Sequence, residues 1–363
     1  MRIHSFAKKF DWPLLALTML LTGMGLMTLF GIGQYARDFF WKQLIFLGLG
    51  VGVIFLVSRI DYRIFRNYSG VVLAVYGFTV VLLLAVLQFS SVRAVKSWIT
   101  IHTFQFEPSE LAKIAAIIIL AKYFSQRHVE INDIKHIIVS AIYIGIPAGL
   151  VLIQPDLGSA SVFFAIWIAM LLAVNVPLKH FIAIAILVVI ITSIGWVVFL
   201  EGYQKARITS FLDPFDDPRG AGYSMIQSKI AIGAGGWFGA GLGNGTQATK
   251  GFLPEAQTDF IFSAFVEQFG FFGAVLFMIV FSALVLRIIG ICRRADNNFA
   301  KLFGIGFIAL ITSHTLISIG INIGLLPVTG IPLSFLSSGG SHLMVLMTGI
   351  GIIESIKVHG IYA

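Results

Sequence analysis

The sequence predicts an all-α, polytopic integral membrane protein of about ten transmembrane helices, with the N- and C-termini cytoplasmic. Three observations carry that prediction. Of 363 residues, 58% are apolar and only 12% are Asp, Glu, Lys or Arg, about half the charged share of an ordinary soluble domain. The apolar residues fall in repeated runs close to the ~17–25 residues a helix needs to cross about 30 Å of hydrocarbon. Lysine and arginine, finally, collect in alternate connections between those runs, the asymmetry that sets orientation in a bilayer. A soluble globule and a disordered chain are both excluded. Thirty-three Phe and 37 Gly suit a lipid solvent, with bulky groups facing the acyl chains and small ones where helices touch. The single cysteine, Cys292, excludes an intrachain disulfide and a multi-cysteine metal cage.

The ten runs cover 13–30, 43–57, 69–87, 109–124, 137–153, 159–174, 181–200, 259–289, 300–325 and 335–355. The first is too long for a secretory signal core and lacks a small-residue cleavage site, so it reads as a retained span. The fourth is short and the eighth long, which calls for tilt or partial emergence. With the N-terminus inside, fifteen of the 25 Lys and Arg residues fall on the cytoplasmic side, among them Lys8, Lys9, Arg59, Arg63, Arg293 and Arg294. The net charge of +8 is then a property of topology, and no nucleic acid is needed to explain it.

No repeat of 20–50 residues and no linker is visible, so residues 1–363 read as a single transmembrane domain holding one long extracytoplasmic loop, 201–258. Its glycine-rich run, 233–245, is either a turning connector or a place where backbone approaches a ligand. P-loop spacing is absent, and the loop lies outside the compartment where nucleotide is found.

Charges in or beside a bilayer are costly and mark functional sites by default. Four stretches qualify, all toward the outer face. In Phe104–Lys113, Pro108 suits the first turn of a helix, and Glu110 and Lys113 then share one face at i, i+3; a mutual salt bridge is the plainer alternative to a binding role. Asp156, in Gln154-Pro155-Asp156-Leu157-Gly158, caps the sixth span or points into the outer vestibule. In the third stretch, a helix starting near Pro254 places Asp259 and Glu267 on one face, with Glu267 about 12 Å deeper at ~1.5 Å per residue. Asp259 then stands at the mouth of a cavity as a candidate general base, or simply as an acid at a helix N-terminus. The fourth, 322–341, breaks both flanking helices with two prolines and four glycines; such backbone at membrane depth lines a cavity or is buried in protein, and its serines and N–H groups are candidates to bind sugar or phosphate. The eight histidines are scattered with no pair at metal-ligand spacing, so a histidine metal site is not expected, and His314 and His342 read as hydrogen-bond partners between helices.

These stretches, in this order, resemble the SEDS family (shape, elongation, division and sporulation), most closely its elongation members. The resemblance runs through Asp11-Trp12-Pro13, Lys96-Ser97-Trp98-Ile99, Glu107-Pro108-Ser109-Glu110-Leu111-Ala112-Lys113, Gln154-Pro155-Asp156-Leu157-Gly158, Arg207 with Phe211-Leu212-Asp213-Pro214, Leu253-Pro254-Glu255 with Thr258-Asp259-Phe260, and Leu326-Pro327-Val328-Thr329-Gly330-Ile331-Pro332-Leu333. It implies a peptidoglycan glycosyltransferase of the bacterial cytoplasmic (inner) membrane that polymerises lipid II during elongation, beside a class B penicillin-binding protein and other elongation-complex membrane proteins. The family's required acid falls on Asp259 and its cavity-facing pair on Glu110 and Lys113. Departures are Glu107 where the family usually has Gln, Ala94 for Gly, and Ser334 and Ser338 for Pro and Tyr.

An α-linked donor giving a β-linked product implies inversion, with one base on the attacking side and charge stabilisation on the leaving side. Asp259 is assigned as that base. Glu110, Lys113, Asp156, Arg207 and Glu267 are assigned to substrate binding, with Lys113 and Arg207 facing the pyrophosphate. No cofactor is certain from the sequence; a divalent cation, magnesium or manganese, held by nearby carboxylates is an expectation without a defined ligand set. A lipid II flippase and a noncatalytic scaffold for the cross-linking partner are the competing readings.

Overall fold

The computed structural model describes residues 8–88, 98–101, 104–126, 134–198, 211–218, 220 and 222–360. Arg207, Arg219, Ala94 and Lys96 lie outside the described residues. A helix occupies each of the ten runs: α1 Trp12–Ile32, α2 Arg37–Arg59, α3 Ser69–Val86, α4 Pro108–Ser125, α5 Ile134–Ile153, α6 Leu157–Ala173, α7 Leu178–Val198, then, past the loop helix α8 (Tyr223–Gly235), α9 Ile261–Arg293, α10 Asn298–Asn322 and α11 Gly340–Gly360. Among the described residues, six apolar segments are long enough to cross a membrane by length and composition, the first of them, Trp12–Arg59, holding both α1 and α2. A small antiparallel hairpin that the sequence pattern did not reveal, β1 (Ile99–Ile101) with β2 (Phe104–Phe106), leads into α4.

Local chemistry fixes the helix ends. Asp11 caps α1 by accepting the Leu14 N–H at 3.0 Å, Asp156 caps α6, and Asn297 caps α10 through the Ala300 N–H, each satisfying a backbone donor that the helix itself cannot. Pro108 opens α4 without sacrificing a hydrogen bond. At 33 residues α9 is about 50 Å long, more than a bilayer core requires. It breaks at Gly270, whose φ of 68° and ψ of −167° divide a first segment buried except at Phe269 from the main apolar rod.

Nearly all of the buried apolar side chains form one cluster, and α4 lies at its centre. Fifteen of its 18 residues are buried, so it is apolar on every side because every side faces another helix; α3, α5, α6, α10 and α11 pack around it. Leu20, Phe30, Ile45, Ile142, Ile186 and Leu286 are exposed on the outside of the bundle, as expected of surface solvated by lipid. Helices close on one another at glycines. A Cβ on Gly50 of α2 would sit 2.7 Å from Met347 of α11, and one on Gly351 of α11 would sit 2.9 Å from Val57 of α2. With no hydrophobic drive between helices in lipid, this close van der Waals contact holds them.

At the end carrying the termini, an ionic knot ties three helices. The Asp11 carboxylate accepts Arg287 of α9 at 2.8–3.1 Å and Lys357 of α11 at 2.7 Å, while the Asp11 N–H donates to Glu354 of α11 at 3.0 Å. Burial pushes the Asp11 carboxyl up, but the hydrogen bonds from Arg287, Lys357 and Leu14 outweigh it and hold the pKa below the usual value. Asp11→Ala removes a cap and the partner of two cations, one of them 42% exposed, and should cost about 1–3 kcal/mol of thermal stability. Asp11→Asn, which keeps the cap, should cost less. Because the folded pKa is lowered, the wild-type advantage over Asp11→Asn should be present above about pH 4 and vanish as the pH falls through the folded value, which thermal unfolding in detergent at stepped pH measures.

Candidate functional site

The end of the bundle opposite the termini gathers the polar stretches. On α4, the Lys113 Nζ donates to Glu110 Oε1 at 2.8 Å, with both side chains 1% exposed or less. A buried ion pair is tolerable only if further hydrogen bonds satisfy its remaining valences, and two histidines from other helices do so. The other oxygen of Glu110 accepts from His342 Nδ1 at 2.9 Å, and Lys113 lies 3.2 Å from His314 Nε2 and 3.4 Å from Ser159 Oγ. With Nε2 accepting from the ammonium, His314 carries its proton on Nδ1 and donates it to the Pro332 carbonyl at 3.2 Å. The two imidazoles stack, 4.7 Å between centroids, and among the described residues the buried His342 Nε2 has no hydrogen-bond partner.

Contacts lead from this cluster to Asp259. Ser159, which touches Lys113, has its N–H capped by Asp156 at 2.9 Å. Neighbouring Gly158 packs so closely on the 329–331 loop that a Cβ there would lie 2.8 Å from the Thr329 carbonyl. Gly330, at φ 75°, lies under the acid: its Cβ would come 3.9 Å from Asp259 Oδ2.

The backbone around Asp259 is fixed from both sides. Asn322, the last residue of α10, donates to the Asp259 carbonyl at 2.8 Å and accepts from the Ser263 N–H at 2.9 Å and hydroxyl at 2.7 Å. Its own carbonyl accepts from Ser228 at 2.8 Å. Ser337 donates to the Thr258 carbonyl at 2.7 Å, and the Ser338 N–H to Gln257 at 3.0 Å. The Asp259 side chain itself is only half-buried.

Several expectations change. The helix begins at Ile261 rather than near Pro254, because Glu255 takes a left-handed backbone, φ 51°, and its carbonyl collects the N–H groups of Thr258 and Phe260. Asp259 therefore sits in a turn, and it does not share a helix face with Glu267. The Glu267 carboxylate is fully buried and accepts the Gln247 N–H at 2.7 Å and the Ala248 N–H at 3.1 Å, so it pins the long loop to α9. Ser334 donates to the Ile311 carbonyl at 3.0 Å, and Ser334 and Ser337 thus hold the 322–341 segment together. The glycine-rich run is a tight connector laid along the α9 break: Ala240 and Gly241 donate to the carbonyls of Glu267 and Gln268, and Phe271 donates back to Gly236. At Gly239, φ 82°, any Cβ would collide with the Gln268 carbonyl. Sequence spacing concealed the meeting of His314 and His342 with Glu110, because the three residues come from α10, α11 and α4.

Glu107, just ahead of α4, is buried beside this cluster and accepts from Ser109 Oγ at 2.6 Å. Burial first, and then the nearby carboxylates of Glu110 and Asp156, push its pKa up to about 8. The shift favours the protonated form, and a protonated Glu closely copies the Gln that the resemblance leads one to expect there.

Fold and site together define a polytopic helical membrane protein with a buried, paired charge cluster and an acidic turn at one end of the bundle. The family model described as a cell cycle protein, covering FtsW, RodA and SpoVE, matches residues 10–361, and the chain belongs to that family, the SEDS family. Stage V sporulation protein E of Bacillus subtilis is 34% identical over 361 residues, 97% of this chain and 98% of that protein. Peptidoglycan glycosyltransferase MrdB of Escherichia coli K12 is 34% identical over 314 residues, 86% of this chain and 84% of its own. Among solved structures, a chain of a peptidoglycan synthase complex that coordinates polymerization and crosslinking superposes with a TM-score of 0.81 at 25% identity, covering 96% of this chain and 97% of that one. The rod shape determining protein RodA of Thermus thermophilus does so at 0.71 and 23%, covering 96% of each.

Glu107 yields a signed expectation. A carboxyl raised in the folded state stabilises most below its unfolded pKa, and that contribution is lost as the pH climbs to about 8. Glu107→Gln should leave the melting temperature near wild type at pH 5 and raise it above wild type at pH 9. Equal melting curves across that range would contradict a buried, neutral Glu107.

Proposed function

We propose that the chain is a peptidoglycan glycosyltransferase that polymerises lipid II at the outer face of the bacterial inner membrane, with Asp259 as its general base. Relatives named peptidoglycan glycosyltransferase at 34% identity over most of their length support the activity. The observation that carries the site is the fixed backbone of Asp259, set by Asn322 and Ser337 with its carboxylate over Gly330, one loop removed from the Lys113 cluster. In this reading the termini and the Arg- and Lys-rich end of the bundle face the cytoplasm. The ten helices each cross the bilayer.

The reaction joins a hydroxyl of an acceptor GlcNAc to the anomeric carbon of a donor MurNAc. Asp259 takes the hydroxyl proton as the new C–O bond forms, the bond to the polyprenyl pyrophosphate breaks, and the anomeric centre inverts. Lys113 and Arg207 offset charge on the departing pyrophosphate; Asp156 and Glu110 bear on it through Ser159 and Lys113. Gly330 leaves open the space next to the carboxylate where a sugar hydroxyl has to approach. A class B penicillin-binding protein is the proposed partner, in keeping with the synthase complex whose chain this fold matches. Transport fits less well: Glu110, Asp156 and His342 all sit at the first turn of their helices, whereas transporter sites lie near the midplane.

The test incubates the purified chain and its partner with labelled lipid II. Asp259→Asn should reduce glycan formation by about 10²–10⁴-fold, the usual worth of a general base, while melting like wild type. Polymerisation by Asp259→Ala at the wild-type rate would overturn the base assignment. Wild-type protein that moves lipid II across vesicles but makes no glycan would overturn the enzyme.

A further inference from the structure

The cluster at the loop end contains more ligand chemistry than a salt bridge needs. Glu110, His314 and His342 each bring one donor atom into a group in which no pair is further apart than 4.8 Å. Donors about 2.0–2.2 Å from a tetrahedral ion lie about 3.3–3.6 Å from one another, so binding draws these three side chains together by rotation about their χ angles. All three side chains are at least 96% buried. Among the described residues His342 Nε2 has no hydrogen-bond partner, although Nδ1 is engaged by Glu110; when Nδ1 holds the proton, Nε2 is a bare lone pair. A buried polar atom needs a partner, and a bound ion is one way to supply it.

The same cradle already holds a cation. The Lys113 ammonium lies 2.8 Å from Glu110 and 3.2 Å from His314 Nε2, with the Ser159 hydroxyl at 3.4 Å. It occupies two of the three donors and leaves the third, His342, without a cation of its own. A divalent ion drawing on all three would compete with that ammonium directly. Lys113 has a long flexible stem, and besides Glu110 it has the Ser159 hydroxyl at 3.4 Å and an interaction with the Glu107 carboxyl group. The ammonium can thus turn away without losing all compensation.

We propose that Glu110, His314 and His342 form a transition-metal site in which a divalent ion exchanges with the Lys113 ammonium. Two imidazoles and one carboxylate favour zinc or cobalt over magnesium, which prefers an all-oxygen, largely hydrated shell. Ser159 or a water supplies a fourth ligand. The site stands apart from the catalytic reading of Asp259, because binding is read on the protein alone.

The experiment uses the full chain in detergent, freed of any histidine tag and stripped with chelator, and titrated with Zn²⁺ by calorimetry and with Co²⁺ by visible absorption. One equivalent of Zn²⁺ should bind, with Mg²⁺ failing to displace it, and Co²⁺ should develop the d–d bands of a four- or five-coordinate site. The double variant His314→Gln/His342→Gln should lose more than about tenfold in affinity. Lys113→Gln, which removes the competing cation and keeps the ligands, should bind more than about tenfold more tightly; this arm decides the matter if the histidine variant does not fold. No stoichiometric binding, binding unchanged in the histidine variant, or Lys113→Gln no tighter than wild type would each overturn the proposal.

Discussion

The structure depends on one electrostatic constraint: Lys113 and Glu110 are charged groups inside the most deeply buried helix of a bundle solvated by lipid. Neither could remain there alone. Their mutual contact at 2.8 Å meets part of the desolvation cost, and His314, His342 and Ser159 meet the rest by hydrogen bonding from α10, α11 and α6. Satisfying two charges therefore dictates how four helices are placed. A buried pair of this kind adds little to stability compared with an apolar core of the same volume. In the proposed function the pair's role is to meet a substrate's pyrophosphate, and in the proposed metal site it is to yield to a divalent ion.

The second organising element is Asn322. One amide side chain ends α10, receives the start of α9 through Ser263 and fixes the Asp259 carbonyl, while Ser337 clamps the residue before it. Two broken stretches of backbone, 254–260 and 323–339, are thereby bonded to each other where neither could be satisfied by lipid. The consequence is mechanistic. A base must be held within hydrogen-bond reach of one hydroxyl; at Asp259, the proposed base, the chain is fixed on both sides while the carboxylate is only half-buried. Glu267 performs a related duty farther along, holding the long loop down through two N–H groups.

What the sequence disclosed follows the range of the interactions concerned. Apolar runs located every long helix, since span length is set by the bilayer. The Pro108 start of α4 and the Asp156 cap of α6 were equally legible, because a helix terminus is decided by adjacent residues. The start of α9 was misread for the opposite reason: Pro254 invites a helix, but Glu255 adopts a left-handed conformation and the competing bonds come from Asn322 and Ser337, about 60 and 80 positions away. Glu267 was read as a deeper acid in a cavity, and its true partners, Gln247 and Ala248, depend on how the glycine-rich run folds back over Gly270. The meeting of His314 and His342 with Glu110 was invisible for the same cause, as no spacing rule joins residues on three separate helices. The hairpin at β1 and β2 is too short for alternation to announce.

The proposed function places Asp259 at the outer face of the membrane, at a mouth a reagent can enter. The chain's single cysteine, Cys292, is buried, so a Cys292→Ser background makes a thiol at position 259 the one target. Intact cells carrying Asp259→Cys in that background are treated with a membrane-impermeant maleimide, and opened cells are treated in parallel. Labelling of intact cells, reduced when a lipid II analogue is present, is the expected result. Labelling only after the cells are opened would place the acid at the cytoplasmic face and contradict the account.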